Sequence, residues 1–412
     1  MFGEILLNGD TGSNMSSSTA YRWFAQRLSA GVCRLPTTFR RRLHSRQLVI
    51  IFVIMILLLH LLSTISNTKR PRRSIPQSVT SHFLFEGMHG NEYKNFTEHI
   101  WLFNNSDAER IYLYTNLLQK HHWKTNPQYL DSFRQELNAE TNMSTDRDLI
   151  LTQTNVKLNQ ELLCYVVTKR TFWKQPNFVV TENFISTLPK ESPFKGRRYQ
   201  KCAIVGNSGS LQNSKCGSQI DSMDFVFRCN GAPIEAFMQD AGKRTDFVTF
   251  NPSILFKNFG GLTNESAIAS YIDFMVQYNS VIWYPCFGAR HLVEPCLKAM
   301  SYRDQIDSQL VIGHPSHYVS MWEFWKRRGL KKKPSTGFFL INVAATMCNE
   351  IHLYGFWPFP VELRERTVHQ TAYHYFNEIP FTSHHNSDGE FRILLQMHML
   401  GTLNLHTGAC TQ

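Results

Sequence analysis

Residues 201–230 read KCAIVGNSGSLQNSKCGSQIDSMDFVFRCN, and this stretch decides the fold. Cys202-Ala203-Ile204-Val205 is an unbroken apolar run of the kind that forms a buried strand. Gly206, Asn207, Ser208 and Gly209 follow at once, residues that tolerate a tight turn with positive φ. A second run, Phe225-Val226-Phe227, ends in Arg228-Cys229-Asn230. Strand, glycine turn, crossover and strand make half of a nucleotide-binding α/β unit, with backbone N–H groups at the turn left to meet a phosphate or ribose. No full G-x-G-x-x-G is present, so spacing alone fits a nucleotide site and an ordinary turn equally.

The same texture extends on both sides. Phe178-Val179-Val180, Phe247-Val248-Thr249-Phe250, Val281-Ile282-Trp283, Leu310-Val311-Ile312 and Ile351-His352-Leu353-Tyr354 are further short apolar runs. Turn residues and helical patterning, as around 318–328 and 338–348, separate several of them. This alternation predicts one α/β domain with a mostly parallel central sheet over residues 151–412. In residues 334–359, PSTGFFLINVAATMCNEIHLYGFWPF, Ser335-Thr336-Gly337 caps a helix that is apolar nearly all round and therefore buried. Such a start exposes unpaired N–H groups and a partial positive charge, which suits a phosphate or carboxylate. Ordinary capping gives the same pattern. Gly355-Phe356-Trp357-Pro358-Phe359, after the next strand, is an aromatic shelf able to stack on a ring or to pack a corner.

The 412-residue chain carries a net charge of +11 and a pI near 9.2. Much of the excess lies in short runs (Arg40-Arg41-Arg42, 69–73, 326–333), without zinc-finger spacing or a basic face interleaved with aromatics, which argues against nucleic acid as a partner. Residues 48–65, LVIIFVIMILLLHLLSTI, have the length of a membrane span and no full charge. The long segment ahead of them and the length of the apolar core disfavour a cleaved signal peptide. Arg40, Arg41, Arg42 and Arg46 before the span nearly balance Lys69, Arg70, Arg72 and Arg73 after it, so flanking charge does not orient it. Sequons at Asn95, Asn104, Asn142 and Asn264, with eight of the nine cysteines beyond the span, place the C-terminal side of the span in an oxidising, glycosylating lumen. The expected plan is a cytosolic tail (1–46), a signal anchor (47–66), a polar stem (67–150) helically patterned only around 111–118, and the folded domain (151–412).

The 201–230 block resembles the large sialyl motif of the eukaryotic sialyltransferases, and 334–359 resembles their small sialyl motif. PSTG together with HLYGFWPF is similar to the α2,8-linking branch. His374-Tyr375-Phe376-Asn377 resembles the third motif, with Phe376 where Tyr is commoner, and His385-Asn386-Ser387-Asp388-Gly389-Glu390 matches the His-x4-Glu of the very small motif. The four lie in the family's order within residues 175–412. The resemblance implies a Rossmann-like domain, a variant of the GT-A glycosyltransferase fold, in a type II protein of the Golgi membrane.

It further implies transfer of sialic acid from CMP-sialic acid, with inversion, to a terminal sialic acid of a glycolipid or glycoprotein. His385 is then the general base, with neighbouring His384 as rival, and His374 meets the departing phosphate. Glu390 orients a helix or the imidazole. Asn207 and Asn230 contact nucleotide and sugar, Ser335, Thr336 and Gly337 cradle the phosphate or carboxylate, and Phe356 and Trp357 wall the cytidine. No metal is required where helix ends and histidine carry the charge. Asp146-Arg147-Asp148 is an Asp-x-Asp, but it sits in a polar stretch rather than at the end of an apolar strand. Matching positions imply disulfides Cys202–Cys348 and Cys216–Cys410 and a buried thiol at Cys229, and leave Cys286 and Cys296 open between a bridge and free thiols. The basic run at 326–333 reads equally as a landing strip for sialylated acceptors and as a solvated helix end. A homodimer has room in this reading. The alternatives are an α2,3- or α2,6-sialyltransferase acting on galactose or GalNAc, which the wording of the small motif disfavours, and a lumenal sialoglycan-binding escort without turnover. The presence of His374, His385 and Ser335 disfavours the escort.

Overall fold

The computed structural model describes residues 107–167, 172–174, 177–364, 367–379 and 387–410. Short apolar runs become strands of a sheet buried on both faces, the setting their composition demands. In chain order these are β1 (Tyr199–Val205), β2 (Phe225–Arg228), β3 (Phe247–Thr249), β4 (Val281–Tyr284), β5 (Gln309–Ile312), β6 (Cys348–Tyr354) and β7 (Asn404–His406). Every pairing is parallel, in the spatial order β7-β6-β1-β2-β3-β4-β5. The chain winds from β1 out to β5 and then returns to lay β6 on the other side of β1, so the winding reverses between β1 and β6. In open parallel sheets such a reversal opens a crevice at the carboxyl ends of the two strands. Val205 lies opposite Tyr354, so the turns leaving β1 and β6 start level.

The principal helices are α1 (Asp107–Lys120), α2 (Pro127–Thr141), α3 (Pro252–Phe259), α4 (Glu265–Met275), α5 (Arg290–Met300), α6 (Pro315–Arg327), α7 (Thr336–Met347) and α8 (Ser387–Met399). They cover both faces of the sheet. Cys202 and Ile204 of β1, Phe225 and Phe227 of β2 and Trp283 of β4 share one apolar layer with α1, α2, α6, α7 and α8. Val248, Ile282, Tyr284 and Ile312 share the opposite layer with α3, α4 and α5. The all-round apolar α7 is buried as its composition requires: Phe338, Phe339, Leu340, Ile341, Val343, Ala344 and Ala345 are each at most 1% exposed.

The structure bonds Cys202 to Cys348, tying β1 to the start of β6 across 146 residues, and Cys216 to Cys410 across 194. Cys286 and Cys296 form a third bridge, and Cys164 and Cys229 are buried thiols. The described part of the segment read as stem is folded. Ile111 and Tyr114 of α1 and Leu130, Phe133 and Leu137 of α2 are buried in the first layer. Arg134 donates from Nε to Ala345 O (2.9 Å) and from Nη2 to Cys348 O (2.8 Å), satisfying carbonyls at the carboxyl end of α7. Only two or three apolar anchors per helix carry this docking, so a polar composition hides it. Phe178–Val179 is another departure: it pairs with Glu161–Leu162 in a separate two-stranded ribbon and not in the central sheet. Among the described residues no helix is long and apolar enough to cross a membrane. The tail, the span at 47–66, Asn95, Asn104, His384 and His385 lie outside the described residues.

Candidate active site

The turns after β1 and β6 are locked together at the point where the winding reverses. Gly206 N–H donates to Tyr354 O (2.7 Å), Ser208 N–H to Gly355 O (3.1 Å), and Ser208 Oγ to Trp357 O (2.6 Å). A Cβ on Gly206 would stand 2.4 Å from Gly355 O, so only glycine allows the two backbones this close. Asn207 extends from this seam, its Nδ2 donating to Cys229 O (3.2 Å) at the end of β2. Asn230 takes a left-handed φ of 54°, with its N–H bound to Thr249 Oγ1 (2.9 Å). The side-chain carbonyl oxygens of Asn207 and Asn230 are both buried and have no partner among the described residues. Two orphaned acceptors at a sheet crevice call for a donor from outside the protein.

The start of α7 forms the second wall. Ser335 caps it, its Oγ accepting from Phe338 N–H (3.1 Å). Glu390 of α8 accepts from Ser335 N–H (2.8 Å) and from Ser335 Oγ (2.6 Å). Burial pushes the Glu390 carboxyl up to about 7 against the opposing effect of these two bonds. Ser335 is therefore fully engaged inside the protein, and the first-turn N–H groups of Thr336 and Gly337 remain for a ligand. Asn251, leading into α3, donates from Nδ2 to Thr336 Oγ1 (3.3 Å). A Cβ on Gly337 would meet the Phe356 ring at 2.7 Å and Cys229 Sγ at 3.5 Å. The half-buried Phe356 ring thus lies between the glycine turns of the two blocks.

His374 lies on a loop ahead of α8. Tyr375 N–H donates to Asn207 O (2.9 Å), and Tyr375 Oη to Pro233 O (3.0 Å), fixing this loop to the turn after β1. The imidazole packs between Tyr373 (centroids 4.6 Å) and Phe376 (4.9 Å), and its Nδ1 lies 3.1 Å from Asn377 Oδ1. Burial lowers its pKa, the bond to Asn377 works the other way, and the Lys257 charge adds to the lowering. Beneath the crevice Arg228, 1% exposed, is held by Thr245 Oγ1, Arg244 O and Gly242 O, placing a buried cation below the turns. Arg228 does not stand out in the sequence, since a cation at the end of a strand carries no signal of its own.

The structure brings together Asn207, Asn230, Ser335, Thr336, Gly337, Phe356 and His374, with Glu390 behind Ser335. It does not place Trp357 on the wall. That indole is 3% exposed, donates to Val361 O (2.8 Å) and packs against Phe359 and Phe391, a core position in which every part of the ring is satisfied. The basic run is largely tied down. Arg328 pairs with Glu136 and Glu140 of α2, Arg327 with Glu140 (2.8 Å), and Lys326 with Glu323 (3.1 Å). Asp148 is occupied by Ser144 N–H (2.8 Å) and Arg147 (2.7 Å). Asn142 and Asn264 are exposed, Asn264 as the cap of α4 with Oδ1 accepting from Ala267 N–H (2.9 Å). Among the described residues no three His, Cys, Asp or Glu converge as a metal site. The walls offer two unpaired amide oxygens to a ligand's donors and the N–H groups at the start of α7 to an anion.

A family model described as glycosyltransferase family 29 (sialyltransferase) matches residues 150–402. The alpha-N-acetylneuraminide alpha-2,8-sialyltransferase of Bos taurus is 35% identical over 240 residues, which are 57% of this chain and 66% of that protein. The alpha-2,8-sialyltransferase 8E of Homo sapiens is 29% identical over 380 residues, 91% of this chain and 98% of that protein. Two solved structures are also similar. A mammalian sialyltransferase in complex with Gal-beta-1-3GalNAc-ortho-nitrophenol has a TM-score of 0.37 and 20% identity over 74% of this chain and 88% of that one. A mammalian sialyltransferase has the same score and 21% identity over 74% and 87%.

Proposed function

The chain belongs to glycosyltransferase family 29, the sialyltransferases, and from that premise we propose that it transfers sialic acid from CMP-sialic acid to an acceptor's terminal sialic acid, forming an α2,8 linkage. The relatives named alpha-2,8-sialyltransferases support the linkage. The observation that carries the site is the pairing of the orphaned Asn207 and Asn230 oxygens with the open start of α7 across one crevice. The amide oxygens take donors of the nucleotide and sugar, and the Thr336 and Gly337 N–H groups take the phosphate or carboxylate.

In this reading the acceptor oxygen bonds to the anomeric carbon as that carbon's bond to the phosphate oxygen breaks, inverting the centre. The hydroxyl proton passes to His385, and the negative charge leaves on CMP, where the α7 start, Arg228 and His374 stabilise it. Glu390 is a positioning residue: it holds Ser335, and Ser335 sets the first turn of α7. Protein groups supply all this charge, so no metal is invoked. We place the anchor at 47–66, the catalytic part in the Golgi lumen, and the acceptors on sialylated glycolipids or glycoproteins.

The test is full-length protein in detergent with CMP-sialic acid, paired sialylated and desialylated acceptors, and linkage analysis. An α2,8-linked product on sialylated acceptors alone is expected. Transfer confined to the desialylated acceptors overturns the linkage, and no transfer to either overturns the enzyme reading.

A further inference from the structure

The end of the sheet away from the crevice holds a second opening. Tyr199, Phe225, Val281 and Gln309, the first residues of β1, β2, β4 and β5, line a groove of about 300 Å³ together with Asp246, just ahead of β3. The seven residues of β1 separate it from the crevice by roughly 20 Å. The groove has an aromatic side, where the half-buried Tyr199 ring lies 4.2 Å from that of Phe225 with the planes 31° apart. Arg197, Asn279, Asp307 and Gln309 are its exposed polar lining. Ser280 lines it too. The Ser280 N–H donates to Ser308 Oγ (3.1 Å) and its carbonyl accepts from Gln309 N–H (2.9 Å), but its Oγ is buried without a partner among the described residues. A buried hydroxyl in that state calls for a group from outside the protein.

We propose that this groove is a second, non-catalytic binding site for the uncharged sugars of a glycan. Charge, shape and backbone select that class. Asp246 is paired with Arg244 (2.9 Å) and accepts from Val226 N–H (2.8 Å), which leaves one cation, Arg197, and one anion, Asp307, in the lining. A pyranose has an apolar C–H face for the aromatic side and hydroxyls that both donate and accept, which suits amides, a carboxylate and a guanidinium together. The volume is that of a small-ligand site. A peptide strand finds little to pair with, because the N–H groups of Asp246, Val281 and Gln309 already bind Val226 O (3.0 Å), Asp246 O (3.1 Å) and Ser280 O (2.9 Å). A sialyl end would set its own carboxylate against Asp307, which favours neutral sugars here. The site lies apart from the reacting atoms, so it stands whichever linkage the crevice forms.

The experiment is saturation-transfer difference NMR on the full chain in a zwitterionic, sugar-free detergent, with lactose as the probe. Lactose signals should saturate with wild type and persist when CMP is added. Asn279→Ala and Gln309→Ala should each weaken lactose binding about three- to tenfold, the range of one hydrogen bond. Asn279→Trp, which fills the groove from an exposed position, should abolish the signal, while thermal unfolding checks that each variant keeps its fold. Lactose displaced by CMP sits in the crevice and overturns the proposal, as does a signal that survives all three substitutions or no signal with wild type. Free sialic acid whose signal is lost in Asn279→Trp overturns the choice of an uncharged sugar. None of these readouts uses turnover, so a failure of the α2,8 reading leaves them untouched.

Discussion

Glu390 and Ser335 are 55 positions apart, yet one carboxylate binds both the N–H and the hydroxyl of that serine at the start of α7. Two of the four sequence signatures are thus a single structural unit, with α8 bracing the cap of α7. The carboxyl is 6% exposed and held near 7, well above its ordinary 4.5. A carboxyl raised by the fold binds more protons in the native than in the unfolded state between those values, so stability falls as pH rises through that window. Full ionisation costs about 3 kcal/mol. Glu390→Gln should therefore lose this part of the pH dependence, unfolding later than wild type above pH 7. Denaturant unfolding at pH 5 and pH 8 checks it, and equal losses at both values reject the assignment. Buried His317 and His398, each held down to about 4, act in the opposite sense, costing stability as pH falls below the ordinary 6.5.

His374 is neutral in the free protein, with its pKa depressed by burial and by Lys257. A phosphate brought beside it favours the charged form. Proton NMR of the imidazole should show a titration below 6.5 in the free protein that moves upward on adding CMP. His374→Gln should lower kcat by about a hundredfold or more while changing acceptor KM little. An imidazole whose titration ignores CMP does not meet the phosphate.

The Cys202–Cys348 bond closes a loop of 146 residues between adjacent strands. Replacing both cysteines by serine should cost about 4–5 kcal/mol by the chain-entropy estimate for so long a loop. Two buried hydroxyls add to this, because both sites are fully buried. Chemical denaturation with the other bridges intact measures it. A loss under about 1 kcal/mol would mean that strand pairing alone holds the two sialyl blocks together.

Helices α1 and α2 precede the segment that matches the family model, which begins at residue 150. Arg110 and Arg392 both pair with Asp388 at the start of α8, two residues before Glu390. A protein starting at residue 150 should fold poorly, because it uncovers the apolar face of α7 and strips Arg134 from Ala345 O and Cys348 O. Arg134→Ala should destabilise by about 2–3 kcal/mol, since it leaves two buried carbonyls unpaired. Thermal unfolding of this variant and of the truncation decides it; a truncated protein as stable as the full chain would return these helices to the stem.

The buried parallel sheet, the glycine turn after its first strand and the capped apolar helix were legible in the residues, because each depends on neighbours in sequence: period, turn chemistry and capping act over a few positions. The edge strand β7 was not legible, since Asn404-Leu405-His406 offers one apolar residue between two polar ones. Nor was the burial of Trp357, whose partners Phe391 and Val361 O are supplied by a distant helix and a neighbouring strand. The docking of α1 and α2 and the Glu390–Ser335 brace likewise needed the tertiary structure. The pattern of the chain set which elements form and what chemistry they carry. Which side chains face the crevice, and which are spent holding its walls, was decided by packing between segments that no local periodicity connects.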